Sequence, residues 1–187
     1  KIIKIYSADI LKFDIEKICK KNSIIFGNLP YNISSQILVK ILKFKNWPPK
    51  FSNLIFMFQK ELGDKIIGDF SSNNYGRLSI LSNWKLNIKK IVDIKPESFS
   101  PRPKIDSSLL LLTPKKKFFK VKDPKNLEMI TRIFFNQRRK MLKKPFNQVF
   151  KNSKEVAKKF NIDLNLRPQN LTPEVYFNLV KEFENLN

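Results

Sequence analysis

The sequence contains no histidine, a single cysteine (Cys19) and only four glycines in 187 residues. One cysteine excludes an internal disulfide framework and favours a reducing, cytoplasmic setting. Because histidine is absent and cysteine nearly so, we expect no metal site. The longest apolar runs, such as residues 109–112, are too short to cross a membrane. We therefore expect a protein without a metal cofactor and without a membrane partner.

Acidic residues are also scarce, since 16 Asp and Glu stand against 37 Lys and Arg, a formal net charge of +21. Such a field favours a polyanionic partner, because neutralised phosphates release their counterions. Codon bias is an alternative source of the lysines, since Lys, Ile, Asn and Phe all have A/T-rich codons. It does not explain the shortage of acidic residues. The charge therefore predicts a nucleic acid partner.

The order of apolar runs predicts an α/β sheet with an antiparallel end. Five runs are typical of strands: residues 1–6, 23–27, 51–58, 88–94 and 107–113. Helical patterns lie between them: one that Ser34 or Ser35 would cap, then residues 59–67 and 77–84.

After Thr113 the pattern changes to helices only. One amphipathic helix is predicted from Ile130 to Met141, a second over residues 153–160, and a third that begins after Thr172. The sequence therefore predicts two domains, residues 1–114 and residues 115–187.

A polar turn, Asn28-Leu29-Pro30-Tyr31, follows the strand at residues 23–27. Open α/β sheets bind ligands at the carboxyl ends of their strands. The Asn28 carboxamide and the Leu29 carbonyl could accept both N–H bonds of an adenine amine, which favours a tetrahedral nitrogen with a free lone pair. Tyr31 could stack on a base that has left its helix, and Pro30 stiffens the turn. The alternative is a plain proline turn with a packing tyrosine.

Two further residues each have a functional and a structural interpretation. Asp9, at the end of the first predicted strand, could accept a hydrogen bond from the adenosine amine of a cofactor, or it could cap a helix over residues 10–20. Phe99, in a proline-rich loop, could form a wall opposite Tyr31, or it could plug the loop against the sheet.

A run of cations falls within seven positions of the first helix after Thr113. Its members are Arg138, Arg139, Lys140, Lys143 and Lys144. With apolar residues on the opposite face, they would form a stripe that suits RNA phosphates, and a solvated helix face is the alternative. Arg77 is a further candidate for a phosphate contact.

Six signatures occur in order along the chain: residues 8–9, 27–34, 59–61, 75–79, 99–107 and 135–140. In these signatures the sequence resembles the small-subunit rRNA adenine-N6,N6-dimethyltransferases of the KsgA type. The resemblance implies a Rossmann-like sheet that uses S-adenosylmethionine and a small all-α C-terminal domain. It also implies dimethylation of two adjacent adenines near the 3′ end of 16S rRNA, in the immature small ribosomal subunit, by a cytoplasmic monomer.

The resemblance also implies roles for single residues. Asp9 would contact the cofactor adenine, and Asn28 would serve both the cofactor and the target amine. Leu29 would contribute its carbonyl, and Tyr31 would hold the flipped adenine together with Phe99. The segment at residues 138–140 would lie against rRNA.

The sequence departs from the family at its beginning, since it opens on Lys1 and contains neither the glycine-rich loop nor the acidic residue that should hold the cofactor. We expect an N-terminally truncated chain whose first strands are missing. The segment that ends at Asp9 and the strand that ends at Gly27 should not be neighbours in the sheet. We expect these 187 residues alone to fold poorly, to bind the cofactor weakly and to be inactive.

Three other functions fit parts of the sequence. An antibiotic-resistance methyltransferase of large-subunit rRNA shares the Asn-x-Pro-Tyr turn, but residues 135–140 favour the small-subunit family. A non-catalytic RNA-binding assembly factor would not need an intact Asn28 turn. A methyltransferase acting on protein glutamine usually carries Pro where Leu29 stands.

Overall fold

Four strands form one mixed sheet in the computed structural model, which describes residues 3–186. The strands are β1 (Ser23–Asn28), β2 (Phe51–Gln59), β3 (Leu86–Ile94) and β4 (Ser107–Pro114). Their order in the sheet is β1-β2-β4-β3. β1 pairs with β2 in parallel, and β4 pairs antiparallel with both β2 and β3. The predicted α/β sheet with an antiparallel end is confirmed.

Helices connect the strands, and the last third of the chain consists of helices joined by turns. In the first part they are α1 (Ile15–Ile18), α2 (Ser34–Leu42), α3 (Lys60–Ile67) and α4 (Arg77–Lys85). After β4 they are α5 (Pro124–Phe135), α6 (Lys143–Val149), α7 (Ser153–Lys159) and α8 (Pro173–Leu186). None of the helices in residues 3–186 is long and apolar enough to cross a membrane.

β2 is the central apolar strand of the sheet. Phe56 and Phe58 are buried on one face and Met57 on the other, as expected for a strand that pairs on both edges and is covered on both faces. In β1, half-buried and exposed residues alternate instead, and Ile24 and Phe26 are exposed on one face. The other face of β1 is half-buried, so this strand is covered on one face only.

The strand predicted over residues 1–6 is not formed in its described part. Ile3 and Ile5 are 75% and 89% exposed, because no strand of residues 3–186 lies beside them to pair with their backbone. Lys1 and Ile2 lie outside the described residues. The segment before Asp9 and β1 are not neighbours, as expected.

The predicted serine cap of α2 is wrong. Ile33 occupies the N-cap position without a side-chain bond, and Ser34 already lies in the first turn. There its hydroxyl donates to the carbonyl of Tyr31 at 3.2 Å. Ser34 therefore ties the helix to the turn that precedes it.

The helices after β4 share one continuous core with the sheet and its helices. Tyr75, only 1% exposed, lies before α4, and its hydroxyl donates to the carbonyl of Leu171 at 2.8 Å. Its ring also meets the ring of Phe135 on α5, with centroids 6.3 Å apart. Burial raises the pKa of the Tyr75 hydroxyl, which stays protonated and keeps this bond at neutral pH. The domain boundary near residues 114–122 stays a prediction.

We expect Tyr75→Phe to lower the free energy of unfolding by about 1–3 kcal/mol, because it leaves the buried carbonyl of Leu171 without its partner. Urea unfolding followed by circular dichroism measures this loss. Tyr6→Phe is the matched control, since Tyr6 is exposed. An equal loss in both variants would contradict the assigned role of the Tyr75 bond.

Candidate active site at the carboxyl edge of the sheet

Gly27, near the end of β1, leaves room for the side chains of Leu29 and Phe56. A Cβ at this position would lie 2.7 Å from Leu29 Cδ2 and 2.8 Å from Phe56 Cδ1, closer than real Cβ contacts come. The glycine therefore allows Leu29 to fold back against the core beside Phe56. Asn28 then projects at the strand end, exposed, and its carboxamide makes no hydrogen bond to any residue in 3–186.

Tyr31 is fixed by a bond that crosses the sheet. Its hydroxyl lies 2.8 Å from the hydroxyl of Ser107, the buried first residue of β4. The turn itself is closed by a hydrogen bond from the amide of Ile33 to the carbonyl of Pro30, at 3.2 Å. The structure thus brings Asn28, Leu29, Pro30 and Tyr31 together with Ser107.

Ser107 is a site residue that sequence reasoning missed. It closes the signature at residues 99–107, which was its only signal. Its contact with Tyr31 spans 76 positions. It depends on the pairing of Ser107 with Gln59 at the end of β2, which no local pattern reveals.

A charged cluster surrounds Ser108, on the opposite face of β4 from Ser107. The carboxylate of Asp93 contacts the ammonium of Lys60, accepts a hydrogen bond from Ser108, and meets Lys90 at 3.3 Å. These partners, Lys60 foremost, hold the pKa of Asp93 well below its usual range. A carboxylate of such low pKa is a poor proton acceptor, so Asp93 is structural rather than a general base.

Phe99 lies in the segment that joins β3 to β4, on the same edge of the sheet as Ser107. It follows a 3₁₀ turn at Pro96–Ser98 and is partly buried. No ring contact joins Phe99 to Tyr31 within residues 3–186. The predicted wall opposite Tyr31 stays a prediction.

Asp9 organises a turn and not the predicted helix over residues 10–20. Its carboxylate accepts the amide of Leu11 at 2.9 Å, and its carbonyl accepts the amides of Lys12 and Phe13. The helix that follows is only α1, which Asp14 caps. Asp9 is exposed, and its Oδ2 has no hydrogen bond to the described residues.

Lys40, which sequence reasoning also missed, holds this turn against α2. Its ammonium donates to the carbonyls of Ile10, Leu11 and Phe13 at 3.0, 2.9 and 2.5 Å. The segment that carries Asp9 is therefore held by Lys40 and by the packing of Ile10, Leu11 and Phe13 against the core, and not by a strand within the described residues.

The cations predicted on one helix lie instead on a turn and the start of another helix. α5 ends at Phe135, and residues 136–140 turn through bonds such as Lys140 N to Gln137 O at 2.8 Å. The chain must reverse here because Phe146 of α6 packs against Phe134 of α5, with ring centroids 5.4 Å apart. The prediction of a helix to Met141 is wrong.

The reversal builds a cavity of about 690 Å³. It is lined by five cations and by polar and apolar side chains, without a carboxylate: Gln137, Arg139, Lys140, Met141, Lys143, Lys144, Asn147, Asn165 and Arg167. Arg167 and Asn165 were missed by sequence reasoning. They reach the cavity because the amides of Leu142 and Lys143 bond to residues 164–166.

Two predicted RNA contacts are engaged within the protein. Arg138 donates to Gln169 at 3.1 Å and to the carbonyl of Asn73 at 2.8 Å. Arg77 pairs with Glu128 of α5 at 3.1 Å. Both arginines therefore join segments of the fold, and their role toward RNA stays a prediction.

Residues 1–185 match the family model described as ribosomal RNA adenine dimethylase. The chain is 68% identical to the ribosomal RNA small subunit methyltransferase A of Pelagibacter ubique, over 98% of this chain and 70% of that protein. It is 35% identical to the protein of the same name from Rhizobium etli, over 93% of this chain and 62% of that protein. The chain thus spans about two thirds of the length of these relatives.

Two solved structures share the fold. A dimethyladenosine transferase from Plasmodium falciparum matches with a TM-score of 0.74 and 24% identity, over 96% of this chain and 72% of that chain. The 23S rRNA methyltransferase ErmE matches with a TM-score of 0.62 and 17% identity, over 95% of this chain and 70% of that chain.

We expect Gly27→Ala to destabilise the fold and to displace Leu29, because the new Cβ meets the side chains of Leu29 and Phe56. Overpacking of this kind costs about 1–3 kcal/mol, which urea unfolding measures. Gly76→Ala is the control, since a Cβ there meets nothing closer than 3.8 Å. Unchanged stability in Gly27→Ala would show that the edge tolerates a side chain here.

Proposed function

The chain belongs to the ribosomal RNA adenine dimethylase family, and from that premise we propose that it is an S-adenosylmethionine-dependent rRNA adenine-N6,N6-dimethyltransferase. We further propose that its substrate is a pair of adjacent adenines near the 3′ end of 16S rRNA in the immature small subunit. The names of its relatives favour the small subunit over the large one. The protein would act as a monomer in the cytoplasm and contribute to small-subunit biogenesis.

The observation that carries this proposal is the Asn28–Tyr31 turn, with a free carboxamide at one end and an anchored ring at the other. The Asn28 oxygen would accept one N–H of the adenine amine, and the Leu29 carbonyl would accept the other. Two acceptors favour a tetrahedral nitrogen whose lone pair is free, so no strong base is needed beforehand. Asp93, which meets Ser108 on the opposite face of β4 from Ser107, has too low a pKa to serve as such a base.

Tyr31 would offer its ring to a flipped adenine, with Phe99 as the second wall. Stacking offsets part of the few kcal/mol spent in unstacking the base. The bond to Ser107 restricts the ring before the base arrives, which lowers the entropy lost on binding. Ser107 would thus be a positioning residue.

Asp9 and Asn28 fit a polar cofactor, since each offers an exposed oxygen without a hydrogen bond to the described residues. When bound, S-adenosylmethionine would supply an electrophilic methyl group. Asp9 would hold its adenine, and Asn28 would orient the target amine toward the methyl group.

We expect Asn28→Ala in the full-length protein to abolish dimethylation of immature small subunits while it leaves rRNA binding largely intact. The variant removes an acceptor used in the transition state, not a phosphate contact. Transfer of labelled methyl groups and a filter-binding assay measure the two effects. Asn87→Ala is the matched control, since Asn87 is exposed on β3, away from this edge. Near-normal turnover in Asn28→Ala would contradict the proposed role.

We expect the double variant Arg139→Ala, Lys140→Ala to weaken rRNA binding and to flatten its salt dependence. Each lost phosphate contact reduces the slope of log K against log salt by about 0.9. Affinities measured between low and physiological salt give the slope. Lys154→Ala with Lys158→Ala is the control, because it removes the same charge from the exposed side of α7. Equal slopes in the two double variants would refute the phosphate contact.

A further inference from the structure

Lys85, the last residue of α4, is a buried cation that forms no ion pair within residues 3–186. It is only 3% exposed, and its one hydrogen bond within residues 3–186 goes to the carbonyl of Leu42 at 2.8 Å. An ammonium carries three N–H donors, and a buried cation is costly unless an anion or several hydrogen bonds compensate it. Two of the three N–H donors of Lys85 thus have no hydrogen-bond acceptor among the described residues.

Three aromatic rings surround this ammonium. Its nitrogen lies 4.3 Å from the ring centroid of Trp84, 4.7 Å from that of Trp47 and 5.5 Å from that of Phe118. The face of an aromatic ring attracts a cation, but it offers no oxygen atom that could accept a hydrogen bond from the ammonium. They stabilise the ammonium of Lys85 without neutralising its charge.

The ring cage of Trp47, Trp84 and Phe118 is rigid because the segment after β4 holds it. The indole N–H of Trp47 donates to the carbonyl of Lys115 at 3.1 Å, and that of Trp84 donates to the carbonyl of Phe119 at 2.6 Å. The ring of Phe118 packs edge-on against both indoles. The cage is thus built before any ligand arrives.

Lys85 and the ring cage line a cavity of about 600 Å³. Five more lysines from two stretches of the chain line it as well, against a single carboxylate, that of Asp123: Lys43, Lys45, Lys120, Lys122 and Lys125. Lys43 pairs with Glu128, but Lys45, Lys120 and Lys125 have no ion pair within the described residues. The cavity is therefore strongly positive, with a buried donor at its base.

The cavity lies at the opposite edge of the sheet from Asn28. Its walls come from the residues that precede β2 and β3 and follow β4, whereas Asn28 ends β1. β2 has nine residues, so at about 3.3 Å per residue roughly 30 Å separates the two edges. A ligand in the cavity does not belong to the site of the target adenine.

We propose that the cavity around Lys85 is a phosphate-binding site for an RNA backbone, a second contact that is separate from the target adenine. A phosphate oxygen would accept the free donors of Lys85, and Lys45 and Lys120 would neutralise its remaining charge. The partly exposed ring of Trp47 would flank the neighbouring nucleotide. The identity of the RNA as rRNA rests on the proposed function, whereas the phosphate chemistry does not.

The charge state of Lys85 supports this assignment. Burial lowers the pKa of Lys85 to about 8, and the carboxylate of Glu16 opposes this effect. At neutral pH the ammonium is therefore charged, yet its burial is only partly compensated. An anion that enters the cavity supplies this missing compensation.

The tryptophans provide the test, because the two in this sequence both line the cavity. We expect a single-stranded oligouridine, which contains no target adenine, to change the indole fluorescence saturably in the absence of cofactor. Lys85→Gln should weaken this binding about tenfold, the effect of one charged hydrogen bond. Lys65→Gln, on α3 outside the cavity, should leave it unchanged.

The same fluorescence titration is carried out with inorganic pyrophosphate and with oligoglutamate in place of oligouridine. A response to pyrophosphate without one to oligouridine would overturn the RNA assignment, and a response to oligoglutamate alone would make the site one for acidic peptides. No response to any of the three would refute the site.

A second variant tests the same cavity if Lys85→Gln does not fold. Lys45→Ala with Lys120→Ala removes two exposed lysines of the cavity, and we expect it also to weaken oligouridine binding about tenfold or more. Unweakened binding in this variant would refute the site. Asn28→Ala should keep the full fluorescence response, so a failure of the methyl-transfer proposal would be distinguishable from a failure of this one.

Discussion

The antiparallel pairing of β2 with β4 determines which residues meet at the amine-binding edge. It places Ser107 opposite Gln59, where the hydroxyl of Tyr31 reaches it, and turns Ser108 to the other face, where it meets Asp93. A slip of one residue would exchange the two serines, because neighbouring side chains on a strand point to opposite faces. Tyr31 would then lose its partner, and the Asp93 cluster would lose its hydroxyl. One register therefore sets both the anchored ring and the neutralised carboxylate on the opposite face of the sheet.

The positions of the acidic residues determine where on the protein the positive charge is left uncompensated. Among residues 3–186 the carboxylates of Asp93, Glu128 and Glu182 form ion pairs with lysines and arginines of other elements of the fold. The cavity between α5 and α6 has no carboxylate in its lining, and the cavity around Lys85 has one. Codon bias can raise the number of lysines, but it does not explain why carboxylates are nearly absent from the linings of these two cavities. The charge is therefore concentrated where a polyanion can enter.

Strands β1–β4 and most helices were predictable from the sequence, because their apolar periods report the burial that forms them. The failures have a common physical origin in contacts that are distant along the chain. Residues 3–6 have the pattern of a strand but no neighbour to pair with, and α5 stops early because Phe134 packs on Phe146. The motif residues of the turn at Asn28 were recognisable, whereas Ser107, Lys40 and Arg167 join their sites only through tertiary folding.

α2 links the two candidate cofactor contacts. Its first turn is tied to the Asn28 turn through the bond from Ser34 to the carbonyl of Tyr31, and its Lys40 anchors the turn that begins at Asp9. A helix is stiff over a length of nine residues, so a shift of one end is transmitted to the other. Ile10 and Leu11 of the same turn also pack against the core. The position of Asp9 relative to Asn28 therefore depends in part on α2, through Lys40 in the helix and Ser34 at its start.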